Sequence, residues 1–406
     1  MVAAQSAVCR SCHAVLTETV LDLGLQPASD SFPFADSEAE EQRWPLTLWL
    51  CSRCALVQLG VDAAIPEAPL AVESETMRRH AAQASAAVLE QSGLRSGATV
   101  AEVASHHGGS WLPHLVAAGL RPVPPSAVGR ADLVVDVHGM AHEPDTDAAL
   151  AAHARRLRPD GRLVLEFHHL LPLLREGQFD TVRHGHPVYM SLLALGPALG
   201  RHGLAVTSAL RSAAYGGSLR VTARFDGPAA VADPSVAEVL RAERAAGLDQ
   251  ARALKGLQAQ ARRTGVALRE YLLDARRAGR VVLGYGAPSK ASVLLCSSGV
   301  GSDLLPFTAD LSPAKQDRRL PGCGVPIRSP EELLAARPDD VVILTWDIAR
   351  EVAEQLAVVS SWGGRFVVPV PEPHQLPAVE PGRAGDDAEA PSADPEQTVR
   401  KGGAAG

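Results

Sequence analysis

Two cysteine pairs, Cys9-Arg-Ser-Cys12 and Cys51-Ser-Arg-Cys54, constrain the start of this chain more tightly than any other feature. A Cys-x-x-Cys spacing turns two thiolates toward one ion, and two such pairs complete a tetrahedral shell for Zn²⁺. Redox thiols and unrelated structural cysteines are the alternatives, and disulfides are the weaker explanation in a reducing compartment. A shell of four protein ligands leaves no open position. Cys9, Cys12, Cys51 and Cys54 therefore read as a structural zinc site, substituting for a core that so small a module cannot build. Residues 1–72 are taken as this module.

The rest of the chain is ordinary in composition. At 406 residues it predicts two or three domains, and 46% hydrophobic with 21% charged residues is normal for a globular protein. A net charge of −7 gives no global attraction to nucleic acid or to an anionic membrane. No apolar run is long enough to cross a bilayer, and residues 1–11 carry no secretory pattern, so a cytoplasmic location is expected.

Taken in order, the pattern is α/β. Residues 74–95 predict a helix. Thr99–Val103 predicts a strand running into the glycines Gly108 and Gly109 and a helix over 111–118. Such a turn lets a ligand approach the backbone at a helix start, which carries positive dipole. Further elements are a strand from Asp132, a helix over 145–157, a turn at Pro159-Asp-Gly161, and a strand over 162–167 that contains Glu166. Residues 73–227 form the middle domain, and residues 228–277, rich in Ala and Arg, read most simply as one long helical connector. From 278 to 375 a strand, the turn Gly284-Tyr-Gly286-Ala-Pro-Ser-Lys290, a strand over 305–310, a helix over 330–336 and a strand over 340–346 predict a Rossmann-like βαβ domain. The turn lacks the Walker A spacing, yet its amides, Ser289 and Lys290 suit a phosphate or carboxylate. The tail, 376–406, is rich in Pro, Ala, Gly and acids, and is expected to be disordered.

Chemistry concentrates in residues 179–189, Phe-Asp-Thr-Val-Arg-His-Gly-His-Pro-Val-Tyr, with Glu166, His168 and His169 upstream and Tyr215-Gly-Gly-Ser-Leu-Arg220 downstream. Imidazoles, a phenol, a carboxylate and a guanidinium in one segment suit proton transfer beside an anionic ligand. The plain alternative is a pair of histidines without a role.

Several stretches together carry a resemblance. The first cysteine pair, "LDLGLQPASDSF" and "PLTLWLCSRCALVQL" resemble the zinc-binding module of S-adenosylmethionine-dependent sugar C-methyltransferases. "GGSLR", "GYGAPSKA", "DLSPAKQ", "LPGCGVPI" and "VVILTWD" follow that family's carboxy-terminal pattern in series. The resemblance implies a zinc module, a class I methyltransferase domain and a Rossmann-like carboxy-terminal domain that holds a nucleotide-diphosphate deoxysugar. It places Glu102, Ala104 and Gly108 in the adenosylmethionine motif, His186 as base with His184 beside it, and Tyr189, Ser218, Arg220, Gly286, Lys290 and Lys315 against the substrate.

The sequence also departs from the family. His106 and His107 stand where Asn and Asp are expected, and Pro124 stands at the ribose-binding acid. The third strand is missing, which leaves the second as a sheet edge. Val137 and His138 replace paired asparagines, and Arg183 and Gly185 replace a tyrosine and a glutamate. Two functions follow. One is methyl transfer to a sugar carbon beside a ketone, with S-adenosylmethionine as donor. The other is a catalytically reduced relative that has lost the donor and serves as a nucleotide-sugar-binding or scaffolding partner.

Overall fold

The computed structural model describes residues 8–60, 70–103, 109–124 and 129–377. Ala104, His106, His107 and Gly108 lie outside the described residues, as does the tail beyond 377. Among the described residues no helix is long and apolar enough to cross a membrane.

The amino-terminal module is an antiparallel sheet of β1 (Glu18–Pro27), β2 (Arg43–Leu50) and β3 (Val57–Leu59), with β8 (Val188–Tyr189) added at its edge from far along the chain. Alternation drives β2: Leu46, Leu48 and Leu50 are buried, and the residues between them are partly exposed.

The middle sheet contains β4 (Thr99–Val103), β5 (Arg121–Pro122), β6 (Ala131–Val137), β7 (Leu157–His168), β9 (Leu204–Ser212) and β10 (Ser218–Phe225). Their order is β5-β4-β6-β7-β10-β9, parallel through β7 and antiparallel thereafter. Among the described residues β5 is the edge, a two-residue strand, as the missing third strand implies. One local expectation changes. Pro159-Asp-Gly161 is not a turn before a strand but a bulge within β7, because Leu157 already pairs with Ala131 before Arg162 pairs with Leu133.

Helix starts follow their caps. Ser74 caps α1 (Glu75–Ser92), Asp145 caps α3 (Thr146–Arg156) and Ser191 caps α5 (Leu192–Gly200), each accepting a backbone N–H of the first turn. Two short helices, α2 (Leu112–Ala117) and α4 (Leu170–Arg175), follow the strands β4 and β7.

Residues 228–277 form no single long helix. They break into α6 (Pro234–Ala245), α7 (Ala251–Leu254) and α8 (Gly256–Arg277). The break follows from burial. Glu243, fully buried on α6, accepts the His169 imidazole at 2.7 Å and the backbone N–H groups of Leu192 and Leu193 at 2.8 Å. It therefore holds α6 against the start of α5, and α8 departs to pack on the last domain. Gly265 lets α8 approach closely there, since a Cβ would meet the Ser297 carbonyl and the Ser298 Cα at 3.3 Å.

That domain has sheet order β13-β12-β11-β14-β15-β16: β11 (Val282–Tyr285), β12 (Thr308–Ala309), β13 (Ile327–Arg328), β14 (Asp340–Ile343), β15 (Arg365–Val368) and β16 (His374–Gln375). All pairs are parallel except the last. Its helices are α9 (Ser289–Ser298), α10 (Pro330–Ala336) and α11 (Ala349–Gln355). Strands β12 and β14 are shorter than the sequence suggests, and Trp346 sits in a 3₁₀ turn after β14.

Glu243→Ala should destabilise the protein by roughly 3–5 kcal/mol, because it strands a buried imidazole and two helix-start amides. Urea unfolding that gives an unchanged midpoint would reject this role.

Candidate functional site

The two knuckles are built alike. Cys9 N–H donates to the Ala14 carbonyl and Cys51 N–H to that of Leu56, while His13 and Ala55, each four residues after the first cysteine, take positive φ near 60°. This curl turns both pairs of thiols inward. Cys9 and Cys54 lie 3.5 Å apart, as do Cys12 and Cys51, and all four sulfurs fall within 4.8 Å of one another. Zinc–sulfur bonds of about 2.3 Å in a tetrahedron place sulfurs about 3.8 Å apart, so the quartet fits Zn²⁺. The Ser11 and Cys12 amides donate to the Cys9 sulfur at 3.4 and 3.5 Å, which favours its thiolate. Cys54, the largest influence on it, helps hold the Cys9 thiol down at about 5.

Contacts engage both β4 and the described residues from Gly109 on. Glu102 accepts the Ser110 hydroxyl at 2.5 Å and the Trp111 amide at 2.7 Å, so this expected cofactor residue caps α2. Gly109 donates its N–H to Glu73 at 2.8 Å, and a Cβ there would come within 2.8 Å of the Tyr215 hydroxyl. Tyr215 itself has positive φ and its ring lies 4.2 Å from that of His138. Beneath them Glu166, 1% exposed, is held by His80 at 2.5 Å and Arg220 at 3.0 Å. Burial pushes the Glu166 carboxyl up, but the His80 hydrogen bond and the charges of His80, His138 and Arg220 outweigh it and hold it low. Burial drives His138 down to about 4.

The two expected active-site histidines separate. His184 is buried against the amino-terminal module, its Nε2 3.4 Å from the Pro45 carbonyl and its ring edge-on to Trp44. His186 is partly exposed and packs edge-on to His142. Arg183 donates from Nη2 to His186 Nε2 at 2.7 Å, and a guanidinium only donates, so Nε2 is the acceptor. The other end of Arg183 pairs with Asp30. Tyr189, expected against substrate, instead bonds the Arg183 amide at 3.0 Å and holds this loop. Ser218 donates to the Ala214 carbonyl at 2.9 Å, and Arg220 is held under Trp111 by Glu166. These three shape the fold around the cleft.

In the carboxy-terminal domain the expected phosphate turn is braced by carboxylates. Gly286 has φ 90°, Ala287 donates to Asp310 at 2.7 Å, and Lys315 reaches the Ala287 carbonyl at 2.8 Å. Ser289 bonds Asp30. Lys290 pairs with Asp347 and lies 3.8 Å over the Trp346 ring. That ring continues into the middle domain, where its Nε1 donates to Asp180 at 2.7 Å and its edge fills the space beside Gly216. His168 bonds Gln178 at 2.8 Å nearby. Burial raises Asp180 to about 6 and lowers His168 to about 4. A cation, an indole and two titratable groups thus meet at the seam between two domains.

Comparison with known proteins bears on this arrangement. Residues 9–64 match the family model of a zinc binding domain, and residues 213–371 match that of the C-methyltransferase C-terminal domain. The chain is 36% identical over 253 residues to the C-methyltransferase NovU of Streptomyces niveus, a match covering 62% of this chain. The chain thus carries a zinc binding domain and a C-methyltransferase C-terminal domain. It spans about 60% of the length of this curated relative. Solved structures similar to it include the 1,6-didemethyltoxoflavin-N1-methyltransferase of Burkholderia thailandensis, with 19% identity, TM-score 0.29, and coverage of 42% of this chain and 96% of that one. Another is the N-methyltransferase NodS of Bradyrhizobium japonicum, with 12% identity, TM-score 0.29, and coverage of 38% and 100%. At these scores neither likeness carries an argument.

The donor end offers a partial fit to S-adenosylmethionine. His138 Nε2 is buried without a hydrogen-bond partner, unmet capacity of the kind a polar ligand satisfies. At the ribose position Pro124 has no side-chain acceptor, and the edge strand β5 is exposed. The described residues therefore suit the amino-acid part of the donor and not its adenosine. His80, His138, Tyr215, Asp180 and Trp346 were not singled out as site residues from sequence. Asp180, Tyr215 and Trp346 do fall within stretches singled out above, residues 179–189, Tyr215–Arg220 and "VVILTWD"; nothing local marks His80.

Purified protein should carry about one Zn²⁺ per chain, and Cys51→Ser should destabilise the amino-terminal module. Metal analysis finding no zinc and four reactive thiols would refute the site. Asp180 gives a pH test. Its folded value is raised from 3.8 to about 6, so stability falls as pH rises through that window, by on the order of 3 kcal/mol once both states are ionised. Asp180→Asn keeps an acceptor for Trp346 and should stabilise the protein at pH 7.5 but not at pH 4. An equal effect at both pH values in urea unfolding would contradict the assignment.

Proposed function

We propose that this chain is a C-methyltransferase that binds a nucleotide-diphosphate deoxysugar at the seam between its middle and carboxy-terminal domains and acts on a sugar carbon beside a ketone. The observation that carries this reading is the convergence of Lys290, Trp346, Asp180 and His168 from two domains on one place. Lys290 supplies charge for the diphosphate and Trp346 a flat apolar face. S-adenosylmethionine supplies the methyl group when bound. Proton removal beside the ketone falls to His186, which becomes free to accept a proton when Arg183 releases Nε2 and turns to the developing oxyanion.

A second reading is favoured by two contacts. Arg183 occupies the His186 lone pair, and Glu73 occupies the Gly109 amide at the donor turn. On this reading the chain keeps the sugar-nucleotide surface and serves as a binding partner without methyl transfer.

Calorimetry and a methyl-transfer assay separate the two. Lys290→Ala should weaken sugar-nucleotide binding by about one to two orders of magnitude, as expected for a lost charge-assisted contact; equal affinity would remove Lys290 from the site. Adenosylmethionine should bind weakly, in the millimolar range, because the ribose acid and the adenine wall are both missing. A micromolar dissociation constant would show the donor site rebuilt by other residues. If the wild type methylates a nucleotide ketodeoxysugar, His186→Ala should abolish transfer and leave both ligands bound. Sugar-nucleotide binding without any transfer would establish the second reading.

A further inference from the structure

A charged cavity lies away from the seam. The antiparallel register that pairs Ala223 with Leu163 brings Arg224 opposite Arg162 at the next position along β10 and β7. Both arginines line a cavity of about 380 Å³ between this face of the sheet and α1. Arg162 stands six residues before His168 on β7, about 20 Å along the strand from the seam.

Two like charges directly opposite each other on a sheet are destabilising unless something neutralises them. No side chain does so among the described residues. Arg162 makes no hydrogen bond or ion pair there, and Arg224 reaches only the Asp160 carbonyl at 3.4 Å. The one carboxylate lining the cavity, Asp233, accepts the amide and the hydroxyl of Ser235 at the start of α6. Burial, and after it the charge of Arg224, depresses the Arg162 guanidinium below its usual value. Four hydroxyls also line the cavity, those of Ser92, Thr207, Ser208 and Thr222, alongside the apolar Val88, Val164, Leu210 and Val231.

We propose that this cavity binds a phosphate-bearing anion, clamped by the guanidiniums of Arg162 and Arg224 and met by the surrounding hydroxyls. Guanidinium forks match phosphate oxygens in geometry as well as charge. The volume falls within the roughly 300–1,000 Å³ of small-molecule sites and exceeds what an inorganic ion fills, so the phosphate can be carried by a small polar body. The site is separate from the seam and independent of methyl transfer.

The test is calorimetric titration of the full chain with inorganic pyrophosphate, at low and high ionic strength. Saturable binding is expected, weakened about tenfold or more by Arg162→Gln and by Arg224→Gln, and retained in Lys290→Ala. In anion-free buffer Arg162→Gln should raise the melting temperature, because it removes a like-charge pair; a purely structural arginine would lower it on removal. A parallel titration with a nucleoside diphosphate distinguishes a free inorganic anion from a phosphate on a larger body, and loss of either in the variants supports the site. Absence of saturable binding of both by wild type overturns the proposal. So does a double variant that binds as wild type does.

Discussion

One buried carboxylate ties the three parts of this protein together. Asp30, from the loop after β1, pairs with Arg183 of the middle domain through one oxygen and with Ser289 at the start of α9 through the other. An ion pair this deep adds little stability over an apolar replacement, yet removing one partner is strongly destabilising because the other is left charged and dry. Its effect is to fix arrangement. Neighbouring contacts reinforce it: Arg319 pairs with Glu41, Arg318 reaches the Phe32 carbonyl at 2.7 Å, and Arg43 reaches that of Gly322 at 3.0 Å. The amino-terminal module is thereby part of the frame that positions the other two domains.

The same frame sorts the titratable groups. Burial holds His138 and His168 neutral near about 4 and lifts Asp180 to about 6, while Glu166 stays ionised between His80 and Arg220. Environments that push similar groups apart are what acid–base sites are made of, though structural networks do the same. Here the ionised Glu166 and the neutral His138 lie beside Tyr215, while the neutral His168 and the raised Asp180 lie at the seam. The seam, where Asp180 titrates near about 6, is the place where a ligand can change the charge balance.

Arg183 and its partners show how a buried charge is met. Arg183 introduces a buried cation, and Asp30 is present to meet it. His186 then accepts from the same guanidinium, so the retained histidine sits in a changed electrostatic setting. Retention of a residue and retention of its role are therefore separate questions in this molecule.

Much of the plan was legible in the sequence, where local chemistry is decisive. Cys-x-x-Cys spacing marks the metal site, and helical pattern marks residues 74–95 and 145–157, found as Glu75–Ser92 and Thr146–Arg156, because each signal is complete within a short stretch. The shortened sheet, with β5 at its edge, was legible as a gap in the family pattern. Tertiary structure alone decided the rest. His80 meets Glu166 across 86 residues, Glu243 caps α5 from 51 residues away, and Arg183 meets Asp30 across 153. The alanine-rich stretch 228–277 carries helical periodicity throughout, yet it breaks because one buried glutamate must reach α5 while the following helix must reach the last domain. Side-chain pairing over such separations has no local signature, and burial, which sets both the pairing and the charge of these groups, exists only once the chain has folded.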